Sequence, residues 1–457
     1  MHERQDPLRL AIALSSPIFG PDVPYSPDRG STRLAPASRR PRAKEDLMKS
    51  QSIRLTAAAL LLLAAQAPAL AAGSKTIRPE VGKPLQEAQK ALQAKNYAEA
   101  RTDIAKAEGV GKLTAYESYI IERLKASAAI GAGDYKSALA SYEKVIVSPE
   151  LPAEEKVGVL DSYVKLAYTA KDYARAATAI QQYQAAGGTN AQTLGLYAQS
   201  LYLAGRYKEA AAQINRQIAS AEQAGRKPDS TQLQLLASCA LKQNDMNAYR
   251  LALEKVVTYT PKPDYWLDLI VRTIGQPGFS NTFDLDTYRL RKATGTMGKG
   301  SDYSEAAQLA LQAGFPNEAK AFVDEGSQKK LLGVGADAAR DQRLINLVAK
   351  KIVEDKATLA EGEKAAQKQA TGDALVATGF NYVTYGQADK GLELMRQGLA
   401  KGGLKNTEAA KLHLGYAQLL AGKKTDAAKT LASVRGKDGS ASLARLWLIE
   451  MRGGVHR

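Results

Sequence analysis

Few side chains in this sequence have the types and spacings that catalysis requires. Of its 457 residues, three are histidines: His2, His413 and His456. A Ser-His-Asp triad or a histidine-rich metal site would depend on His413, because the other two lie near the chain ends. We interpret His413 as a partly exposed structural residue. The one cysteine, Cys239, excludes an intrachain disulfide and a multi-cysteine metal site, and we interpret it as a small core residue.

Two glycine-containing segments match phosphate-binding loops in part. Segment 296–300 contains a Gly-Lys pair, but Ala293 stands where a Walker loop has its first glycine, and Gly300 where it has Ser or Thr. Segment 333–338 fits Gly-x-Gly-x-x-Ala, yet no predicted strand precedes it. We interpret the second segment as a turn between helices.

Asp284 and Asp286 are candidates for a pair of catalytic carboxylates. Two residues apart on a predicted helix, however, they point in different directions, and a role as helix N-cap explains Asp284 better. Since no reactive groups converge, the sequence predicts a protein that is not an enzyme and that uses no cofactor or metal.

The element that organises the chain is a helical hairpin, seen most clearly in residues 190–221. Apolar residues recur there at steps of three and four, first before and then after Gly205, which indicates two amphipathic helices joined by a turn. The apolar positions are Leu194, Tyr197, Ala198 and Leu201, followed by Tyr207, Ala210 and Ile214. A single hairpin cannot bury these faces, so copies must stack on either side.

The copies are marked by a Tyr-x-x-Ala element that begins at Tyr97, Tyr135, Tyr173 and Tyr207, at spacings of 38, 38 and 34 residues. A turn precedes each tyrosine. The pattern resembles the tetratricopeptide repeat family, whose consensus is Gly-x-Tyr-x-x-Ala at this turn and whose period is 34 residues. The resemblance implies an all-α fold, a solenoid of stacked helical hairpins that winds as a superhelix.

About ten hairpins are predicted. Residues 73–262 read as regular hairpins, residues 263–300 as an irregular hairpin with a long loop, and residues 301–457 as divergent hairpins that end in a capping helix. Asp264 is expected to cap the first helix of the irregular hairpin. Among the divergent hairpins, turns are expected at Gly386 and Gly422, and near 354–355 in a pair predicted for residues 341–369.

The N-terminal segment has the features of an export signal. Residues 48–72 contain a basic start at Met48, an apolar stretch too short to span a bilayer, and a small-x-small site that ends at Ala71. We therefore interpret residues 1–47 as an over-extended start, the alternative being a disordered leader ahead of a buried apolar helix. The mature chain is expected in the periplasm without an integral membrane segment.

The net charge of +16 comes from 63 basic and 47 acidic residues. These are interspersed, as on solvated helix faces, and no long basic run marks nucleic-acid binding. The charge favours an acidic partner or a membrane surface.

In the tetratricopeptide family the first helix of each hairpin lines a concave groove that takes a peptide. The resemblance places six side chains at such positions: Lys165, Tyr168, Gln199, Tyr202, Phe380 and Tyr416. Aromatic groups along a groove suit the binding of a protein partner.

A narrower resemblance rests on segments 263–266, 314–319 and 401–404. They are similar to periplasmic tetratricopeptide proteins associated with TonB-type energy-transducing systems. The sequence thus favours a non-catalytic exported scaffold that binds a segment of a cell-envelope complex. The alternative is an enzyme or enzyme subunit with a site in residues 275–300, around Asp284, Tyr288 and Arg289.

Overall fold

The computed structural model describes residues 75–453, whose regular secondary structure consists of 20 α-helices and two short 3-10 turns. Consecutive helices pack as antiparallel pairs, so the predicted all-α solenoid of hairpins is confirmed. The described residues fall into two compact units, residues 75–216 and residues 217–453. We call them the N-terminal and the C-terminal unit. Within residues 75–453, no helix is both long and apolar enough to span a bilayer.

The N-terminal unit contains the regular repeats. Its helices are α1 (Pro79–Gln93), α2 (Tyr97–Gly109), α3 (Ala115–Gly131), α4 (Tyr135–Val147), α5 (Ala153–Thr169), α6 (Tyr173–Ala185) and α7 (Ala191–Leu203), and α8 (Tyr207–Gln223) crosses the boundary between the units. The second helix of each of these four hairpins begins at the tyrosine that the repeat analysis identified.

The turns explain why the helices start there. Lys95, Gly133, Lys171 and Gly205 each have a positive φ between 58° and 77°, which ends the preceding helix. In three of the turns, the residue that follows is the N-cap of the second helix: Asn96, Asp134 or Asp172. Its side chain accepts a hydrogen bond from the backbone N–H three residues later. Each hairpin is therefore closed by local backbone chemistry.

The alanine of each Tyr-x-x-Ala element is fully buried. Ala100, Ala138, Ala176 and Ala210 all have 0% exposure, because the paired helices approach closely at these positions. The small side chain is thus required by the packing, as the repeat pattern predicted.

The C-terminal unit is less regular. After the end of α8 it contains α9 (Ser230–Lys242), α10 (Met246–Tyr259), α11 (Pro263–Ile274), α12 (Asp284–Ala293), α13 (Gly300–Gln312), α14 (Pro316–Gln328), α15 (Ala338–Lys368), α16 (Asp373–Thr384), α17 (Ala388–Lys401), α18 (Thr407–Leu420), α19 (Lys424–Ala432) and α20 (Ser440–Gly453). The pairs that turn at Gly386 and Gly422 lie where the sequence predicts them.

The hairpin predicted for residues 341–369 is wrong. These residues belong to α15, a single helix of 31 residues that continues through 354–355. Residues near this point include no glycine or proline, and Lys351 pairs with Glu354 at 2.8 Å on the helix surface. Without a residue that breaks the backbone pattern, polar side chains alone do not end a helix.

The two predicted aspartate N-caps are also wrong. Asp264 lies in the first turn of α11, which begins at Pro263, and Asp284 is the first residue of α12. Proline fits the first helical position because its missing N–H would have no partner there. Both carboxylates still lie at the positive end of a helix dipole, so an acidic residue is favourable at either position.

α20 does more than cover the last hairpin. It packs against α18 and α19, as a cap would, and also against α10 and α12. The Arg445 side chain donates to Glu254 of α10 at 2.6 Å, and the Ser280 N–H donates to the Asp438 carbonyl at 2.8 Å. The C-terminal unit therefore closes on itself.

Candidate functional site

The first group of predicted partner-binding residues lies on α5 and α7, which contact each other as the first helices of the third and fourth hairpins. Lys165 and Tyr168 belong to the last turns of α5, and Gln199 and Tyr202 to the last turns of α7. We call these four residues the N-terminal patch. Gln199 is exposed and the other three are half-buried.

Lys165 is held by a local ion pair. Its ammonium lies 2.5 Å from the Asp161 carboxylate one turn earlier, and Asp161 also accepts a hydrogen bond from the Thr193 hydroxyl of α7. Asp161 therefore fixes Lys165 and ties α5 to α7. The lysine side chain retains 26% exposure, which leaves part of its cation open to solvent.

The two tyrosines of the patch repeat one arrangement. Tyr168 packs edge-to-face on Tyr173, with ring centroids 5.5 Å apart, and Tyr202 packs on Tyr207 in the same way at 5.3 Å. The partner in each case is the tyrosine that starts the second helix of the same hairpin. Burial raises the pKa of Tyr168 above its usual value. Each ring is thus fixed on one side before any partner binds.

The other two predicted residues, Phe380 and Tyr416, lie in the C-terminal unit and are not exposed along a groove. Phe380 has 1% exposure and Tyr416 has 9%. Their rings stack with centroids 6.0 Å apart, and the Trp447 ring continues the row at 5.1 Å from Tyr416. Phe380 belongs to the core, because three helices of the closed unit meet there, and it offers no surface to a partner.

Beside this aromatic row lies a buried arginine. The Arg289 guanidinium is 4.8 Å from the Phe380 ring centroid and 5.1 Å from that of Tyr416. Its Nε and Nη2 donate to the two oxygens of Glu318 at 2.8 and 2.7 Å, and its Nη1 donates to Asp286 at 2.8 Å. Each of the three guanidinium nitrogens of Arg289 therefore donates to a carboxylate.

His413 completes the cluster. Its Nε2 lies 3.1 Å from the second carboxylate oxygen of Asp286. Burial alone would raise the pKa of Asp286, but the nearby His413 and Arg289 lower it to about 2. Asp286, Arg289, Glu318 and His413 thus form one cluster of titratable side chains that joins α12, α14 and α18.

Of the three residues proposed for the alternative enzyme site, Arg289 lines the cavity described below, and Asp284 and Tyr288 do not. Tyr288 is fully buried and Asp284 lies at the start of α12. Within residues 75–453, no group of three or more His, Cys, Asp or Glu side chains could hold a metal ion.

The cavity that Arg289 lines has a volume of about 610 Å³ and is walled by α12, α14, α16, α18, α19 and α20. Tyr416 and Trp447 lie in its wall together with Phe322, Leu419 and Met451, and Lys424 contributes a cation. The sequence analysis named Arg289 and Tyr416 for two different sites and did not predict this cavity, because its lining residues come from helices up to about 160 positions apart. The apolar periodicity of each helix is the same whether its face meets a core or a cavity.

Comparison with protein-family models gives no match, and comparison with curated proteins gives none either. Among solved structures, the chain is similar to the crystal structure of yeast Tom70, with 10% sequence identity and a TM-score of 0.23. The match covers 82% of this chain and 96% of that chain. The fold assignment therefore rests on the helix pairs themselves.

Proposed function

We propose that this protein is a non-catalytic, exported scaffold whose N-terminal patch binds a peptide or protein segment of a cell-envelope complex. The observation that carries the proposal is the repeated pair of half-buried tyrosines on adjoining helices, Tyr168 on Tyr173 and Tyr202 on Tyr207. A ring already held on one side loses little conformational freedom when a partner covers the other side. Such aromatic anchors contribute strongly to binding.

Lys165 and Gln199 give the patch its polar specificity. The lysine presents a cation whose position Asp161 fixes, and the exposed amide of Gln199 is free to form hydrogen bonds with an extended backbone. The patch therefore suits a segment with apolar side chains and a nearby acidic group.

Two features of the sequence support the location. The export signal of residues 48–72 directs the chain to the periplasm, and that segment lies outside the described residues. The similarity of segments 263–266, 314–319 and 401–404 to TonB-associated proteins favours a role as an accessory of such a transport system. In the structure these segments begin α11, form the turn into α14 and end α17.

The test is capture of envelope proteins by the full mature chain, with and without Tyr168→Ala and Tyr202→Ala together. The double substitution should weaken capture of the partner at least thirtyfold while helicity stays unchanged, since each anchor contributes about 2 kcal/mol. Tyr265→Ala is the matched control, because Tyr265 is a half-buried tyrosine of the C-terminal unit. Equal capture by the folded double variant and the control variant would show that the patch does not bind the partner.

Lys165→Glu tests how much the charge of Lys165 contributes to binding of the partner. The charge reversal should weaken capture most at low salt, and the difference from wild type should shrink as ionic strength rises. Lys165→Met removes the charge without repelling Asp161, so capture of the partner by this variant should lie between that of wild type and that of Lys165→Glu. If the effect of Lys165→Glu is independent of salt, Lys165 does not act through its charge.

A further inference from the structure

The cavity of the C-terminal unit has the size and lining of a site for a small molecule. Its volume of about 610 Å³ lies within the range of roughly 300–1,000 Å³ that is typical of ligand pockets. Half of its sixteen lining residues are apolar: Ala293, Ala321, Phe322, Val383, Leu419, Leu420, Trp447 and Met451. The body of a ligand that fills it would therefore be apolar.

Two hydrogen-bond donors belong to this wall. They are the Tyr416 hydroxyl and the Trp447 indole N–H, on side chains with 9% and 4% exposure. The indole N–H is a donor only, so this part of the wall favours a ligand that carries acceptors.

The charges around the cavity favour an anion. Arg289 and Glu318 neutralise each other, and Lys292 is paired with Glu325 at 3.4 Å. The Lys424 ammonium is exposed and has no ion-pair partner within the described chain. Glu450 also lines the cavity, but its side chain takes part in an interaction of its own.

From these observations we infer that the cavity binds a small amphipathic anion, with an apolar body against Phe322, Leu419 and Met451 and a carboxylate head near Lys424. The body covers apolar wall that would otherwise contact water, and the head accepts hydrogen bonds from the Tyr416 hydroxyl and the Trp447 indole N–H. This site is independent of the partner proposed for the N-terminal patch, since all its lining residues belong to the C-terminal unit.

The probe is a series of straight-chain carboxylates from hexanoate to tetradecanoate, added below their micelle concentrations to the full mature chain. Calorimetry should show one site per chain, with affinity that rises about fourfold per methylene until the cavity is full and then levels off. Trp447 supplies a second signal. The chain has two tryptophans, so Trp266→Phe leaves Trp447 as the reporter whose fluorescence should saturate with the same affinity.

Two comparisons test whether the cavity binds an anion near Lys424: the charge of the ligand head group and the effect of two substitutions. Decyltrimethylammonium, which has the same body and the opposite charge, should bind at least tenfold more weakly than decanoate. Lys424→Glu should lower the affinity for decanoate about tenfold, and Tyr416→Phe should lower it by a similar factor. The control is Lys423→Glu, because Lys423 pairs with Asp389 at 2.5 Å and does not line the cavity.

Three results would overturn the inference. The first is the absence of saturable binding by calorimetry in the wild-type chain. The second is equal affinity for the ammonium and the carboxylate probe. The third is an equal loss of decanoate affinity in Lys423→Glu and Lys424→Glu, which would indicate that the overall surface charge attracts the carboxylate.

Discussion

The guanidinium of Arg289 holds the carboxylate of Glu318 through two parallel hydrogen bonds, of 2.8 and 2.7 Å, between helices α12 and α14. Both side chains are at most 5% exposed. Two charges at this depth are stable only as a hydrogen-bonded pair, because neither can be solvated alone. The pair therefore fixes how two hairpins of the C-terminal unit meet.

Arg289→Met should lower the free energy of unfolding of the C-terminal unit by about 3–5 kcal/mol, since it leaves the carboxylates of Asp286 and Glu318 buried without their cation. Both tryptophans, Trp266 and Trp447, lie in this unit, so urea unfolding followed by their fluorescence reports it. Lys320→Met is the matched control, because it breaks the exposed Lys320–Asp324 pair on α14 and should cost less than about 1 kcal/mol. Equal effects of the two substitutions would contradict the proposed role of the buried pair.

Low pH should remove the contribution that the ionised Asp286 carboxylate makes to the stability of the fold. Its pKa of about 2 in the folded state lies below the usual 3.8, so the ionised carboxylate stabilises the fold above about pH 4. This stabilisation, about 2 kcal/mol, is lost as the pH falls through 2. The difference in unfolding free energy between wild type and Asp286→Asn should therefore narrow from pH 4 to pH 2. A gap that stays constant over this interval would show that the carboxylate is not ionised differently in the folded state.

Glycines in α16 and α17 allow the backbones of these two helices to pack closely against each other. A Cβ on Gly379 would lie 2.5 Å from the Gly391 carbonyl oxygen, and a Cβ on Gly391 would lie 2.4 Å from the Gly379 carbonyl oxygen. Backbone atoms cannot move aside as a side-chain end can. Gly379→Ala should therefore destabilise the unit by about 1–3 kcal/mol.

Gly362→Ala is the control for that substitution. Gly362 is exposed on α15 with no atom near its Cβ direction, so alanine should stabilise the helix there by up to about 1 kcal/mol. If urea unfolding gives changes of opposite sign in the unfolding free energy of Gly379→Ala and Gly362→Ala, the α16–α17 contact requires glycine. The same sign at both positions would mean that helix propensity outweighs the contact.

The proposed export of this protein predicts the residue at which the mature chain begins. Synthesis from Met48 and removal of the signal should leave a protein that begins after Ala71 or Ala72. The intact mass of protein purified from the periplasm measures this directly. Recovery of a periplasmic species that retains residues 1–47 would contradict both the start site and the signal assignment.

Local signals in the sequence determined the helix pairs. Gly205 and the caps at Asn96, Asp134 and Asp172 act within a few residues, and the buried alanines of Tyr-x-x-Ala follow from the close approach of two neighbouring helices. Where the local signal is weak the prediction is wrong: polar residues at 354–355 predict a turn, but α15 continues through them. The positions of Lys165 and Tyr168 on α5 were predictable for the same local reason.

The tertiary structure alone decided the centre of the C-terminal unit. Phe380 has the periodicity of a groove residue, but Arg289 and Tyr416 pack against it once α20 has closed the unit on α10. The Arg445–Glu254 contact that accompanies this closure joins residues 191 positions apart. Helical periodicity states which face of a helix is apolar, while only the packing of distant helices determines whether that face meets solvent, a core or a cavity.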